Sequence, residues 1–488
     1  MGCELLQEVV YSEPAIIIPL VPGYFVQSFG CRATQADGAA LERQLAMQGL
    51  TPASSALEAE IVVLNTCTVT AAADQDARAS IRRIRRENPA AKIMVTGCYA
   101  QRAPHEIAAL PGVTWVVGNS HKHRVAEIAA QDRQANSSQD QFPGQSGLPQ
   151  NFVSLETVAL SAPAFTLVGD IFAHTELIAA PVFAGDSIAE KTRPNLKVQD
   201  GCDNRCSFCI IPSVRGQSRS MMLDRVIEEA NALIAAGYRE IVLSGINLGR
   251  WGRDFQPQQK FEQLIRALLE NTGVEKIRIS SVEPMDWSDE LIALVAGSSR
   301  IAKHAHVPLQ SGSDRILRRM HRKYRPWHYA DKIRKIHEAM PDAAIGADVM
   351  AGFPGETDEL FEESRSFIEQ LPFTYLHVFT YSSRPGTPSA AMPDQVPVHV
   401  ARERNRVLRE LAAEKNLQFR RSFVGQSLDV ITLHAGGDGW TEALSDNFLK
   451  IKISGRHEAN QWMKVEIEGA GDENLMAVVH VEIVGCAV

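Results

Sequence analysis

Three runs of apolar and β-branched residues, YFVQSFGC, IVVLNTC and KIMVTGC, each end in a cysteine, at Cys31, Cys67 and Cys98, and helical patterns separate them. Strand and helix alternating in this way predict a parallel sheet flanked by helices over residues 23–128, a Rossmann-like α/β domain. The carboxyl ends of parallel strands share one edge, where ligands usually bind. Cysteine is also a common buried hydrophobe, but its recurrence after three successive strands favours one shared site.

The full length of 488 residues is too much for one core, and about 150 residues per domain implies roughly three. After a leader over residues 1–22 and the first domain, the segment 129–190 breaks the pattern. Its stretch QDRQANSSQDQFPGQSGLPQN reads as a linker or insertion with little to bury, and the runs FVSLETVAL and FTLVGDIFAH that follow are strand-like but belong to no unit. Alternation resumes over 191–424, with strand candidates LKVQDGC, REIVLSG, KIRISSVEP, HAHVPLQ, AIGADVMAGFPG and YLHVFTYS. Six such units predict a TIM-like (β/α)6 partial barrel with its functional residues at the strand carboxyl ends. Over 425–488 the runs SLDVITL, FLKIKISG, MKVEIEG and VVHVEIVG predict a small β-barrel, completing an α/β multidomain chain.

With 45% hydrophobic and 22% charged residues, the composition is that of an ordinary soluble protein. The most apolar early stretch, AIIIPLVPG, is short and interrupted by Pro19 and Pro22, so neither a membrane span nor a secretory signal is expected, and the cytoplasm is the expected compartment. The net charge of −8 argues against an all-round basic surface, yet nucleic-acid binding depends on local patches. Eight cysteines scattered along so long a chain suit a reducing compartment, where clustered thiols are metal ligands or catalysts. Cys3 and Cys486, near the chain ends, are expected to be incidental.

A second cysteine group, Cys202, Cys206 and Cys209, lies in QDGCDNRCSFCIIP just after the first barrel strand. Its spacing would also fit one helical face, but Gly201, Asp203, Asn204 and Pro212 favour a loop wrapping its thiols around a metal group. Structural zinc wants four protein ligands, and no further cysteine or histidine follows closely. Three thiolates suit a 4Fe-4S cluster with one iron left open for a small molecule.

This CxxxCxxC loop after the first barrel strand resembles the radical S-adenosylmethionine (SAM) superfamily. That resemblance implies that SAM chelates the open iron and that an electron from the cluster cleaves it to a 5′-deoxyadenosyl radical. FGCRATQADG, VVLNTCTVT and VTGCYAQ, ahead of such a barrel and a small β-domain, resemble the methylthiotransferases within that superfamily. The likeness spans about residues 23–128 and 191–488. It implies a second 4Fe-4S cluster on Cys31, Cys67 and Cys98, whose open iron carries the sulfur or methylthio group to be inserted. Cys202, Cys206 and Cys209 then hold the catalytic cluster.

Glycine and small polar residues after strands make Ser244, Gly245, Glu283, Gly352 and Gly355 candidates for the SAM pocket, with Gln310 and Ser311 weaker ones. The plainer reading is that these are tight turns closing the barrel. RILRRMHRKYR (315–325) and RRIRR (82–86) are locally basic, either as solvated helix faces or as RNA-phosphate contacts. The β-domain resembles the TRAM RNA-binding module. It departs from a basic RNA grip, with ten acidic and four Lys or Arg residues over 425–488, leaving Lys450, Lys452 and Arg456 as its main cationic cluster.

Within the family, FGCR, VQDGCDNRCSFCIIPSVRG and GINLGRWG most resemble the branch that inserts a methylthio group at C2 of N6-threonylcarbamoyladenosine beside the tRNA anticodon. By that resemblance the adenosyl radical abstracts hydrogen at C2, the first cluster delivers sulfur and a second SAM supplies the methyl group. The implied partners are a tRNA anticodon loop and an electron donor such as flavodoxin or ferredoxin, with the sulfur donor unassigned and the chain a monomer. Methylthiolation of isopentenyladenosine in tRNA, or of a ribosomal-protein aspartate, is the alternative within the enzyme class. A zinc-stabilised RNA-binding protein without catalysis is the alternative outside it.

Overall fold

The computed structural model describes residues 23–131, 164–173, 192–435, 439–471 and 473–479. The leader, the run FVSLETVAL, Cys3 and Cys486 lie outside these residues. In the first domain, β1 (Gly23–Ser28), α1 (Arg32–Met47), β2 (Thr51–Pro52), β3 (Ile61–Thr66), α2 (Ala71–Glu87), β4 (Lys92–Gly97), α3 (Cys98–Arg102), α4 (Pro104–Ala108), β5 (Val113–Gly118) and β6 (Phe165–Leu167) follow in chain order. All strands run parallel, in the order β2-β1-β3-β4-β5-β6. Side chains alternate between the sheet's faces with period two. Val62, Leu64, Ile93 and Val95 pack with Ile81 and Ile84 of α2, whereas Ile61, Val63 and Met94 pack with Leu41 and Leu45 of α1. Strands covered on both faces therefore read as continuous apolar runs.

Part of the span read as linker belongs to this sheet, since Phe165–Leu167 pairs with Trp115–Val117 of β5. Three residues are too few to display a period, which is why FTLVGDIFAH has no assignment from sequence.

The second domain comprises β7 (Asn195–Lys197), β8 (Gln199–Asp200), α5 (Ile211–Arg215), β9 (Arg219–Ser220), α6 (Leu223–Ala235), β10 (Glu240–Ser244), α7 (Phe261–Asn271), β11 (Lys276–Ile279), α8 (Asp289–Gly297), β12 (His304–His306), α9 (Asp314–Arg319), α10 (Pro326–Ala339), β13 (Ala344–Ala351), α11 (Asp358–Gln370) and β14 (Tyr375–Thr380). Two parallel three-stranded sheets, β7-β10-β11 and β12-β13-β14, meet through the Ile277–Ile301 bridge. The six strand candidates are thus the six barrel strands, in sequence order. Ile241, Leu243, Ile277, Ile279, Ala305, Ile345, Ala347 and Val349 face the helices and form the main core. The alternating positions, among them Glu240, Arg278, His304, His306, Asp348, Tyr375 and His377, fall on the opposite face, toward the lumen.

α12 (Val398–Arg421) leads into a closed barrel of β15 (Ser427–Ala435), β16 (Trp440–Ser445), β17 (Lys450–Ser454), β18 (Trp462–Ala470) and β19 (Leu475–Val479), ordered β15-β16-β17-β19-β18. Strand β16, WTEALS, has no counterpart among the sequence candidates because it mixes polar and small residues. The loop after it closes the amino end of the larger barrel. Ser445 and Asp446 accept hydrogen bonds from Arg278, at 3.1 and 3.0 Å, and the Phe448 ring lies 4.6 Å from that of His304.

Candidate metal centres and the lumen between them

Cys31 immediately precedes α1, Cys67 follows β3, and Cys98 opens α3 at the end of β4, so the first triplet sits at the carboxyl ends of three adjacent strands. Gly30 permits this. Its φ is 100°, and a Cβ there would lie 2.5 Å from the Cys67 Cβ and 2.8 Å from its Sγ, so only glycine lets the loop close on Cys67. Cys31 is exposed and the other two are buried. Burial, then Cys98 and Cys31, push the Cys67 thiol up to about 12. Asn119 Nδ2 donates to Cys98 Sγ at 3.5 Å and to the Val214 carbonyl at 2.8 Å.

The second triplet lies in an irregular loop after β8, as the turn-forming residues predict. A Cβ on Gly201, with φ 71°, would lie 1.9 Å from the Gln217 carbonyl, and the loop is folded back on itself there. Cys202 Sγ accepts from the Asn204 amide at 3.4 Å and from Asn247 Nδ2 at 3.6 Å. Cys206 Sγ accepts from Arg322 Nη1 at 3.2 Å, and the other end of the same guanidinium pairs with Glu283. Burial first, then Cys206, push Cys209 up to about 12, and burial raises Cys202 as well. The cleft here is lined by residues that include Asn204, Cys206, Arg250, Glu283, Arg322 and Tyr324.

Cys67, Cys202 and Cys209, raised by burial, favour the protonated thiol unless cationic metal takes the proton's place. Among the described residues, the one set of three His, Cys, Asp or Glu ligand atoms lying mutually within 4.8 Å is His306, Asp348 and His377. Structural zinc takes four protein ligands, and each triplet supplies three thiols. Three thiols with a fourth position left open are a donor set that a 4Fe-4S cluster can use.

The two triplets share a wall, as Cys98 packs on Ile210 and Val214, just beyond Cys209. A buried ionic network fixes that wall. Asp37 of α1 meets Lys122 at 2.9 Å, Arg215 at 3.0 Å, and Lys197; Asp200 meets Arg215 at 2.9 Å and Lys197 at 3.2 Å. Burial alone would raise both carboxyls, but the surrounding cations outweigh it and hold them well below the ordinary range. On the far side, Arg384 pairs with Asp74 of α2 and donates to Thr68 Oγ1 at 2.8 Å.

The SAM-pocket candidates divide. Glu283 lines the cleft, and Ser244 and Gly245 close β10 beside Gln199, whose Oε1 accepts from the Asn247 amide at 2.7 Å. Gln310 turns with φ 70° and bridges to Val349. Ser311 is bonded to Ser364 at 2.9 Å, Gly352 sits on Ala401 and Gly355 on Arg319, all among packed neighbours. The basic run 315–325 also divides: Arg318 and Arg325 pair with Asp314, whereas Arg322 is buried at the cleft. Asn247 and Arg322, which hold the thiols of Cys202 and Cys206, went unnoticed in the sequence because nothing local links them to the loop.

Residues 196–368 match the Radical SAM superfamily, and residues 23–118 match the uncharacterized protein family UPF0004. The radical S-adenosylmethionine methyltransferase TsrM from Kitasatospora setae shares the fold, with a TM-score of 0.52 at 17% identity over 76% of this chain and 75% of that one. These matches define the class as radical SAM enzymes. Threonylcarbamoyladenosine tRNA methylthiotransferase MtaB of Bacillus subtilis is 37% identical over 91% of this chain and 93% of its own. The Aquifex aeolicus protein of that name is 33% identical over 90% and 99%, and a tRNA-2-methylthio-N(6)-dimethylallyladenosine synthase of Thermobifida fusca is 34% identical over 91% and 83%. The chain belongs to the radical SAM methylthiotransferase family. That membership sets aside the non-catalytic, zinc-stabilised alternative.

Proposed function

We propose that the protein inserts a methylthio group at C2 of N6-threonylcarbamoyladenosine beside the anticodon of tRNA. Cys202, Cys206 and Cys209 would hold the 4Fe-4S cluster to which SAM binds, and Cys31, Cys67 and Cys98 a second one. When bound, these groups supply the radical, the sulfur and the methyl group.

The chain's own residues provide the setting. Asn247 and Arg322 donate to Cys202 and Cys206, stabilising the thiolate charge that metal binding requires. Glu283, Ser244 and Gly245 would form the SAM wall nearest those thiols, with the turns at Gln310, Ser311, Gly352 and Gly355 shaping the strand ends behind it. The ionic network on Asp37 and Asp200 holds the two centres at one separation, and the enclosed lumen keeps water from the base between them. A single-stranded anticodon loop can present that base unstacked. Lys450 and Lys452, the latter 4.5 Å over the Trp440 ring, would add a modest phosphate contact from the small barrel.

The reading is carried by the shared wall between the triplets, Cys98 against Ile210 and Val214, together with the relatives' names. The expected setting is a cytoplasmic monomer reduced by a flavodoxin- or ferredoxin-type donor. Among the described residues no helix is long and apolar enough to cross a membrane. Mass spectrometry of tRNA nucleosides from a deletion strain should show loss of the 2-methylthio form of threonylcarbamoyladenosine and its return on complementation. Persistence of every methylthionucleoside would overturn the assignment.

A further inference from the structure

Identity separates the two tRNA branches only narrowly, at 37% and 33% to two relatives of one name and 34% to one of the other, so the charge in the lumen bears on the choice. Arg278, fully buried, pairs with Glu240 at 2.6 Å, and Arg193 Nη1 lies 3.8 Å from the same carboxylate oxygen. Arg32, next to Cys31, is half-buried and within electrostatic reach of Tyr375, Arg278 and Glu240. Among the described residues its side chain makes no hydrogen bond or ion pair. His304, against Tyr375 at 2.7 Å, stays neutral because it is buried and faces Arg278 and Arg32. The nearby Asp348 is taken by His306 at 3.4 Å and His377 at 3.3 Å. Arg278 is satisfied by Glu240 and by the Ser445 and Asp446 carbonyls, so Arg193, 3.8 Å from that carboxylate, and Arg32 are the guanidiniums left with donors to fill, an arrangement that favours an incoming anion.

The threonylcarbamoyl substituent ends in a carboxylate, whereas the dimethylallyl substituent is a neutral hydrocarbon. We propose that Arg32 and Arg193, backed by Arg278, form a carboxylate-binding subsite that selects the amino-acid-bearing adenosine over the prenylated one. This rests on the function proposed above. A planar guanidinium can take a carboxylate through two parallel hydrogen bonds, and an apolar group in the same place would leave the cations unpaired.

The test uses the anoxic, reconstituted full-length enzyme with synthetic anticodon stem-loops bearing threonylcarbamoyladenosine, its methyl ester or dimethylallyladenosine, and measures kcat/KM for methylthio product. The wild-type enzyme is expected to prefer the acid to the ester by about 100-fold, since a site built around a polar partner rejects the analogue lacking it. Arg32→Gln should abolish that ratio, mainly through KM, and Arg32→Lys should restore part of it. Because Arg32 adjoins Cys31, Arg193→Gln, ahead of β7 and adjoining neither triplet, is measured in parallel and should also lower the ratio. Equal rates on acid and ester with wild-type enzyme, or an unchanged ratio in both glutamine variants, would overturn the subsite. Wild-type activity confined to the dimethylallyl loop would instead overturn the proposed function itself.

Discussion

Replacing Asp37 by alanine is expected to destabilise the folded protein by about 3–5 kcal/mol, because it leaves buried Lys122 without a counter-charge and Lys197 and Arg215 with Asp200 alone. Lys122, Lys197 and Arg215 all converge on that carboxylate, which bridges α1 to β7 and to the segment after Cys209. Denaturant melts give the stability change. Activity should divide along the same joint: SAM cleavage, read as 5′-deoxyadenosine, continues on the intact barrel while methylthio product falls, because the first triplet no longer stands at a fixed distance. Asp37→Asn, which keeps the shape and loses the charge, should fall between alanine and wild type.

The same network sets the response to acid. Asp37 and Asp200 are held well below the ordinary carboxylate range, so their contribution is complete above about pH 4 and is lost as pH falls through their folded values. His304 adds a loss that begins earlier. Burial, Arg278 and Arg32 keep it neutral in the fold, so the unfolded chain binds the extra proton once pH drops below about 6.5. The urea midpoint should therefore decline from neutral pH downward, and a midpoint that is flat or rising toward pH 4 would contradict these environments.

The second large effect concerns the cysteines. Cys206→Ala should eliminate both 5′-deoxyadenosine and methylthio product, since Cys206 is the thiol held by Arg322 at the cleft. Cys67→Ala should eliminate methylthio product alone and leave SAM cleavage running, since Cys67 lies at the end of β3 in the other domain. Chromatography of the reaction products distinguishes the two. Identical losses from both substitutions would mean that the triplets serve one centre.

The parts legible in the sequence are those encoded locally. Three cysteines ending three apolar runs and a CxxxCxxC loop among turn formers can be read in short windows, and the structure places them at the ends of β1, β3 and β4 and after β8. Alternating apolar positions likewise identify the six barrel strands. What escaped depends on distant pairing. Arg322 looks like one more cation in RILRRMHRKYR until Glu283 and Cys206 are brought beside it, and Asp37 looks like an ordinary helix-surface acid until Lys197 and Arg215, 160 and 178 residues away, close on it. Arg32 is one letter of FGCR in the sequence, because the charged groups it answers to, Glu240 and Arg278, stand on strands of another domain. Strands β6 and β16 were too short or too polar to show a period.

Two separate iron-sulfur centres in one chain are the central claim. Iron and acid-labile sulfide should be counted in anoxically purified and reconstituted wild-type, Cys67→Ala and Cys206→Ala proteins. About eight irons and eight sulfides per wild-type chain, falling to about four of each in either variant, is the expected result. About four in the wild type with no change on Cys67→Ala, or one zinc and no sulfide, would contradict it.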